Sequence, residues 1–144
     1  MRPRGFTLME ILIVVIILGV LAVMAVPQFT IASDARRTRL ASDLRTVRYQ
    51  IELYRAEHHG ALPAVIGGET CRLCNRTNID GEIGETAAHR YGPYLQRWPE
   101  NEFNDLSTVQ IEAGDAGLGD GSHGWHLNTT TGRFHADDAA HSGL

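Results

Sequence analysis

Cys71 and Cys74 are the first residues whose type and spacing could do chemistry, because they enclose two residues in the string Cys-Arg-Leu-Cys. A Cys-x-x-Cys pair can provide half of a zinc site, exchange electrons as a redox pair, or close as a small structural disulfide. A zinc site needs two further ligands, and the spacing of His58, His59 and His89 does not single any of them out. All three interpretations stay open on the residues alone.

Four aspartates form a second group of candidate ligands. Asp115 and Asp120 lie in a glycine-rich stretch, and Asp137 and Asp138 follow a predicted hairpin. Calcium takes six to eight oxygen ligands in flexible geometry, so glycine-rich loops that carry several acids suit it. The spacing is not that of an EF-hand loop, and acids solvated on loop surfaces are the alternative.

Glu10 is a third candidate, because it is a carboxylate at the start of a hydrocarbon segment. The 16 residues from Ile11 to Val26 carry no polar side chain and are followed by Pro27. As a helix, residues 6–26 span about 31 Å, which matches a hydrocarbon core of about 30 Å. We therefore interpret residues 6–27 as a membrane-spanning half-helix. A carboxylate costs about 2.5–3.5 kcal/mol at the centre of such a helix, so Glu10 either is functional or reaches the headgroups.

Two other interpretations of this segment are weaker. A secretory signal peptide would explain the basic start at Arg2 and Arg4, but no Ala-x-Ala cleavage site follows the apolar run. A buried core helix would need a larger domain to surround an all-apolar cylinder. Arginines flank both ends of the segment, so charge alone does not fix its orientation.

The string Arg-Gly-Phe-Thr-Leu-Met-Glu at residues 4–10, followed at once by the apolar run, resembles the processing motif of type IV prepilins and type II secretion pseudopilins. The resemblance implies that residues 1–5 are a basic leader, which a prepilin peptidase removes by cutting between Gly5 and Phe6. It implies that Phe6 is then N-methylated.

The same resemblance gives Glu10 and Pro27 roles in assembly. Glu10 would pair with the N-terminal amine of a neighbouring subunit and set the register between subunits. Pro27 would bend or locally melt the helix, since proline removes a backbone donor and clashes with the preceding turn. The resemblance also places residues 28–144 outside the cytoplasmic membrane.

Beyond Pro27 the sequence changes from uniformly apolar to periodic. Apolar residues recur at spacings of four, three, four and three, at Leu40, Leu44, Val47, Ile51 and Tyr54. This stripe indicates the buried face of an amphipathic half-helix, which we place at residues 28–59, before the stop signals of Gly60 and Pro63. A coiled-coil seam is the alternative, although five positions are few for one.

Residues 60–144 predict a small globular domain that shares its core with the helix stripe. Residues 124–128 and 133–136 flank a Thr-Thr-Thr-Gly turn and predict a β-hairpin, and residues 107–111 predict another short strand. The predicted fold class is therefore α+β: a long N-terminal helix packed on a small C-terminal antiparallel β-sheet.

The composition and the motifs exclude several classes of function. The formal net charge is -4, and all 13 cationic residues are arginines, so nothing predicts a nucleic-acid partner. The sequence contains no Gly-x-Ser-x-Gly, P-loop or His-Glu-x-x-His motif. We do not expect an enzyme.

Nearly the whole chain resembles the type IV pilin-like family, and most of all the major pseudopilin of type II secretion. The resemblance is strong over residues 4–63, moderate over residues 91–138 and absent over about residues 64–90. It implies a single-pass protein of the bacterial inner membrane with a periplasmic C-terminal domain. Its implied partners are membrane lipid, the prepilin peptidase, the inner-membrane secretion platform, other pseudopilins and further copies of the chain, which polymerise into a periplasmic filament.

The resemblance also orders the interpretations of the candidate ligands. Outside the cytoplasm a disulfide between Cys71 and Cys74 ranks first, zinc second and a redox role last. Major pseudopilins often bind one calcium ion in their C-terminal loops, which makes Asp115, Asp120, Asp137 and Asp138 candidate calcium ligands.

Three functions follow from the sequence in order of preference. The first is a structural subunit of a type II secretion pseudopilus, a short fibre that helps export folded proteins. The second is a subunit of a type IV pilus, used in adhesion, motility or DNA uptake. The third, of another class, is an uncleaved bitopic membrane protein with a periplasmic metal-binding or redox module at Cys71 and Cys74.

Overall fold

The computed structural model describes residues 6–64, 66–68 and 70–144, without the side chains of residues 24–31. The described elements are a helix and three strands: α1 (Leu8–Glu57), β1 (Val109–Glu112), β2 (Trp125–Asn128) and β3 (Phe134–Ala136). The predicted α+β class is thereby confirmed. The chain divides into two compact units, Met1–Arg37 and Thr38–Leu144, which we call the N-terminal unit and the C-terminal unit.

In the N-terminal unit, α1 begins where the sequence offers a capping side chain. The Thr7 hydroxyl accepts the backbone N–H of Glu10 at 3.3 Å, and the Thr7 carbonyl accepts the N–H groups of Glu10 and Ile11. A threonine at this position satisfies donors that have no partner within the helix, which is why helices often begin there. The sequence-based prediction of a helix through this segment is confirmed, and Pro27 lies within α1.

The predicted membrane-spanning half lies within α1. Among the residues that the structure describes, no helix is both long enough and apolar enough to cross a membrane.

In the C-terminal unit, the apolar stripe of α1 forms one side of the core, as predicted. Its five residues are each 1% exposed: Leu40, Leu44, Val47, Ile51 and Tyr54. The helix ends at Glu57, and the chain then turns through His59 and Gly60, whose φ angles of 55° and 83° are left-handed. The N–H of Gly60 donates to the carbonyl of Arg55 at 2.8 Å, which satisfies one of the last helical acceptors.

The sheet has the order β1-β2-β3, with β1 parallel to β2 and β2 antiparallel to β3. The hairpin of β2 and β3 was predicted, but the prediction of a purely antiparallel sheet was wrong. The reason lies in residues 113–124, which carry the chain back to the beginning of β1 before β2 starts. A connection of about a dozen residues is long enough for a parallel crossover, whereas a tight hairpin allows only antiparallel strands.

Gly124 fixes the point at which this connection enters β2. The N–H groups of Gly124 and Trp125 both donate to the carbonyl of Thr108 at 3.0 Å. A Cβ atom on Gly124 would collide with the carbonyl of Leu106, so only glycine allows the two backbone segments to approach this closely.

The inner face of the sheet completes the core. Trp125, Leu127 and Phe134 are fully buried against the helix stripe, together with Cys71 and Leu73 from the preceding loop. The rings of Trp125 and Phe134 stack with centroids 5.5 Å apart. A small sheet thus becomes stable by sharing its apolar face with α1.

Candidate functional site

The predicted processing site lies at the beginning of the described chain. Gly5 is outside the described residues, whereas Phe6 is 73% exposed and precedes the first turn of α1. Glu10 lies in that first turn with an exposed side chain, where a negative charge is favoured by the positive end of the helix dipole. Among the described residues Glu10 has no ion-pair partner, so its carboxylate is free to meet a cation from outside the chain.

The helix behind Glu10 exposes apolar side chains on every side. The aliphatic residues from Ile11 to Leu21 are each between 46% and 59% exposed. Single exposed apolar residues are ordinary, but a continuous apolar surface of this size marks a contact with a membrane or with other proteins. The described side chains of the N-terminal unit therefore leave this hydrocarbon surface uncovered.

Asp137 is the most enclosed of the four candidate calcium ligands. Its side chain is buried, and its carboxylate accepts the N–H of Gly119 at 2.6 Å and the N–H of His123 at 3.1 Å. Asp120 lies within hydrogen-bonding reach of Asp137, and hydrogen bonds from Ser122 lower the pKa of Asp120 below its usual range. The glycine-rich loop thus brings two of the four aspartates together.

The other two aspartates point elsewhere. Asp115 accepts a hydrogen bond from the Asn128 amide at 2.8 Å, while Asp138 contacts His141 at 2.6 Å and Asn101 at 3.3 Å. Within the described part of the chain, no three histidine, cysteine, aspartate or glutamate side chains lie together in an arrangement that could hold a metal ion. The sequence therefore groups four ligands that the structure separates into a pair and two single residues.

Asp120 and Asp137 nevertheless fit part of a calcium site. Two carboxylates side by side in a glycine-rich loop offer hard oxygen ligands, which are fewer than the six to eight oxygens that calcium takes. Both carboxylates already accept backbone N–H groups, which hold the loop in place and leave further lone pairs available.

Glu112 is a residue that the sequence analysis missed. Its carboxylate accepts the N–H of Gly117 at 3.0 Å and contacts Nε2 of buried His126 at 2.9 Å. The hydrogen bond from Gly117 is the largest cause that lowers the pKa of Glu112, and the bond with His126 is the next. Glu112 therefore ties the glycine-rich loop to β2. An acidic residue at the last position of a strand, directly before such a loop, is the signal that could have revealed it.

The two cysteines lie close together beside the core. Cys71 is buried and Cys74 is half-buried, both are free thiols, and their side chains are hydrogen-bonded. Burial and this contact raise the pKa of Cys74 to about 12. A thiol with so high a pKa is a poor nucleophile at neutral pH, which argues against a reactive redox pair. The predicted disulfide stays a prediction.

Comparisons with known proteins identify the N-terminal motif. Residues 1–26 match the family described as "Prokaryotic N-terminal methylation motif". The motif together with a long helix and a small α+β domain defines the class of type IV pilin-like proteins. No solved structure matches the chain.

Curated relatives narrow this class. The type II secretion system core protein G of Klebsiella pneumoniae is 30% identical over 126 residues, which cover 85% of this chain and 79% of that protein. The proteins of the same name from Aeromonas hydrophila and Vibrio cholerae are 27% identical over 140 residues and 28% identical over 118 residues. These alignments cover 88% and 81% of this chain and 94% and 75% of the two relatives. The chain belongs to the family of type II secretion system core protein G.

Proposed function

We propose that this protein is a structural subunit of a type II secretion pseudopilus, a filament that helps to export folded proteins. The observation that carries this proposal is the 30% identity to a core protein G over 85% of the chain. The methylation motif at residues 1–26 supports the same function. A filament subunit needs an uncovered surface that neighbours can bury, and the exposed apolar part of α1 supplies one.

We further propose that assembly begins with cleavage between Gly5 and Phe6 by a prepilin peptidase, followed by N-methylation of Phe6. Cleavage creates a cationic N-terminus, and Glu10 is a carboxylate in the first turn of the same helix. A buried carboxylate is tolerated when a cation neutralises it, so the new N-terminus of one subunit is a suitable partner for Glu10 of the next. This pairing would fix the register between subunits.

Before assembly, we place residues 6–27 in the inner membrane and the C-terminal unit in the periplasm. The 16 residues Ile11–Val26 contain no polar side chain, which is the support for this placement. Other pseudopilins and the inner-membrane secretion platform are the proposed partners during extrusion. Bound Ca²⁺ at Asp120 and Asp137 would neutralise adjacent carboxylates and stiffen the glycine-rich loop, and a Cys71–Cys74 disulfide would close the loop beside the core.

The mass of the intact protein from native membranes tests the proposed processing. We expect a chain that lacks residues 1–5 and carries one additional methyl group. A full-length, unmethylated chain would show that the motif is not processed, and would favour an uncleaved bitopic membrane protein.

A deletion strain separates the proposed secretion function from that of a type IV pilus. We expect lost secretion of folded exoproteins, restored by the wild-type gene. Loss of surface pili or twitching with normal secretion would contradict the proposal.

Substitution of Glu10 tests the proposed pairing in the same deletion strain. Glu10→Ala should be cleaved normally but yield few sheared filaments. Glu100→Ala, at an exposed carboxylate of the C-terminal unit, should assemble like the wild type.

A further inference from the structure

The side of α1 that faces away from the core of the C-terminal unit is an unpartnered surface. It carries the exposed residues Ser42, Arg45, Tyr49, Leu53 and Ala56, which we call the outward helix face. Their spacings of three, four, four and three place them on one side of the helix. Tyr49 is 67% exposed and Leu53 is 37% exposed, although the opposite stripe is buried. Among the described residues, Arg45 makes no ion pair.

A second exposed surface of the C-terminal unit has the complementary character. Residues 78–85, which we call the Ile83 loop, expose Ile83 to 42% between the carboxylates of Asp80, Glu82 and Glu85. The stretch contains three acids and no arginine. The exposed carboxylates of the loop are complementary in charge to Arg45, and Ile83 is complementary to the exposed Tyr49 and Leu53, although the Arg72 guanidinium lies beside Gly81 on the inner side of the loop.

The Ile83 loop is held in one conformation by its own hydrogen bonds. Oδ1 of Asn78 accepts the N–H groups of Asp80 and Glu82 at 3.1 and 2.9 Å, and the N–H of Asn78 donates to the carbonyl of Glu82 at 3.0 Å. Thr77 forms isolated bridges to Ile83 and Tyr91. A preorganised loop loses little conformational entropy when it binds, which favours a docking role.

The two surfaces lie on opposite sides of α1. The base of the loop is anchored on the core side, where the Thr77 hydroxyl is 3.0 Å from Nε2 of buried His58 and Gly81 packs against the Tyr54 hydroxyl. Arg45 precedes Tyr54 by nine positions, which is two and a half turns, or about 180° around the helix. One copy of the chain therefore cannot use its own loop to cover its own outward helix face.

We propose that the Ile83 loop of one copy docks on the outward helix face of a second copy, with Ile83 against Tyr49 and Leu53 and the loop carboxylates around Arg45. This proposal rests on the proposed filament function and names a contact within it. Different surfaces on opposite sides of one subunit form a head-to-tail contact, and such a contact builds an open filament when the rotation between successive copies does not close a ring.

The two sides of the contact come from different parts of the chain. The outward helix face belongs to α1, whereas the Ile83 loop lies within residues 64–90, where the sequence motifs of the family were not recognised. A docking loop in this segment would let the chain select copies of itself, since charge complementarity at an interface mainly provides specificity and speeds association.

The absence of lysine from the sequence allows a direct test. In Arg45→Lys, position 45 keeps its positive charge and carries the sole side-chain amine of the chain. Sheared filaments, or detergent-solubilised full-length protein, are prepared from a mixture of ¹⁵N-labelled and unlabelled chains and treated with a carbodiimide, which joins an amine to a carboxylate in direct contact. Mass spectrometry then identifies the coupled peptides and shows whether the two come from different chains.

We expect coupling between position 45 of one chain and Asp80, Glu82 or Glu85 of another. Arg97→Lys is the matched control, because Arg97 is also exposed on the C-terminal unit but outside both surfaces. The coupling yield of R45K should exceed that of R97K about tenfold, and Ile83→Asp in the R45K chain should reduce it about tenfold, because a charge replaces the apolar centre of the contact. The triple substitution D80N/E82Q/E85Q, which removes all three carboxylates, should abolish the coupling.

Each result bears on one of the two proposals. Normal filaments in which R45K couples no better than R97K, or couples to carboxylates elsewhere, would overturn the docking proposal and leave the filament function intact. Specific coupling in detergent together with no filaments in cells would support the contact and contradict the filament function.

Discussion

The two parts of α1 both carry many apolar side chains, but one part buries them and the other exposes them. In the C-terminal unit the five stripe residues are each 1% exposed, because the sheet and its loops cover one face of the helix. In the N-terminal unit the aliphatic residues from Ile11 to Leu21 are at least 46% exposed, and they surround the helix. One part of the helix is stabilised by its own chain, whereas the described residues leave the apolar surface of the other part uncovered, as surfaces that contact a membrane or other proteins are.

The largest expected effect is the difference between two leucine-to-alanine substitutions, one in each part of α1. Leu44→Ala should lower the free energy of unfolding of the C-terminal unit by about 2–5 kcal/mol, because it leaves a cavity in a closed core. Leu12→Ala, at a residue 53% exposed, should leave that free energy unchanged. Urea unfolding of the detergent-solubilised protein, followed by tryptophan fluorescence, measures this, since Trp98 and Trp125 both belong to the C-terminal unit.

The opposite pattern would break the comparison. If Leu12→Ala destabilised the fluorescent unit as much as Leu44→Ala, the two parts of the helix would share one cooperative core. Unchanged stability in both variants would mean that the stripe contributes little to folding.

Two glycines sharpen the comparison at the level of the backbone. Gly124→Ala should destabilise the C-terminal unit by about 1–3 kcal/mol, because the new methyl group collides with the carbonyl of Leu106 and the surrounding structure must shift. Gly19→Ala meets no atom within 4 Å and replaces a glycine inside a helix, so it should be neutral or slightly stabilising. Thermal unfolding of the two variants, with the same fluorescence signal, provides the test. Equal midpoints for both would contradict the close approach at β2.

The stripe and the hairpin could be predicted because each depends on a local pattern. Leu40 to Tyr54 repeat with the helical period, and the Thr-Thr-Thr-Gly turn joins two strands that are neighbours in the sequence. The parallel pairing of β1 and β2 could not be predicted this way, since residues 113–124 carry no periodicity and their path depends on contacts such as that of Gly124 with Leu106. The grouping of the four aspartates could not be predicted either, since it depends on the path of the same loop. The structure brings Asp120 and Asp137 together and leaves Asp115 and Asp138 apart from them.

A smaller effect concerns pH, and it tests how the glycine-rich loop is attached. The folded-state pKa of Glu112 lies below its ordinary value of 4.5, since Gly117 and His126 hydrogen-bond to the ionised carboxylate. Ionised Glu112 therefore stabilises the fold fully above about pH 4.5, and this contribution is lost as the pH falls through the lower folded-state pKa. In Glu112→Gln the free energy of unfolding should fall less steeply with decreasing pH below pH 4.5.

Urea unfolding at several pH values between neutral and acid measures this slope. Glu100→Gln is the control, since it removes a carboxylate that is also exposed on the C-terminal unit but lies outside the glycine-rich loop. An identical slope in Glu112→Gln and the wild type would show that Glu112 does not anchor the loop.

The smallest effect is kinetic and distinguishes two states of the cysteine pair. In the thiol state, burial and Cys71 hold the pKa of Cys74 at about 12, so little thiolate exists at pH 8. Iodoacetamide should then label Cys74 much more slowly than a free cysteine, and unfolding in urea should restore normal labelling of both residues. Protein prepared from native membranes without reductant provides the second measurement. If it stays unlabelled even in urea and gains two labels after reduction, the pair is a disulfide, and the loop beside the core is closed covalently. Fast labelling of the folded protein would instead mean that Cys74 is accessible and reactive, and the redox interpretation of the pair would then outrank the structural one.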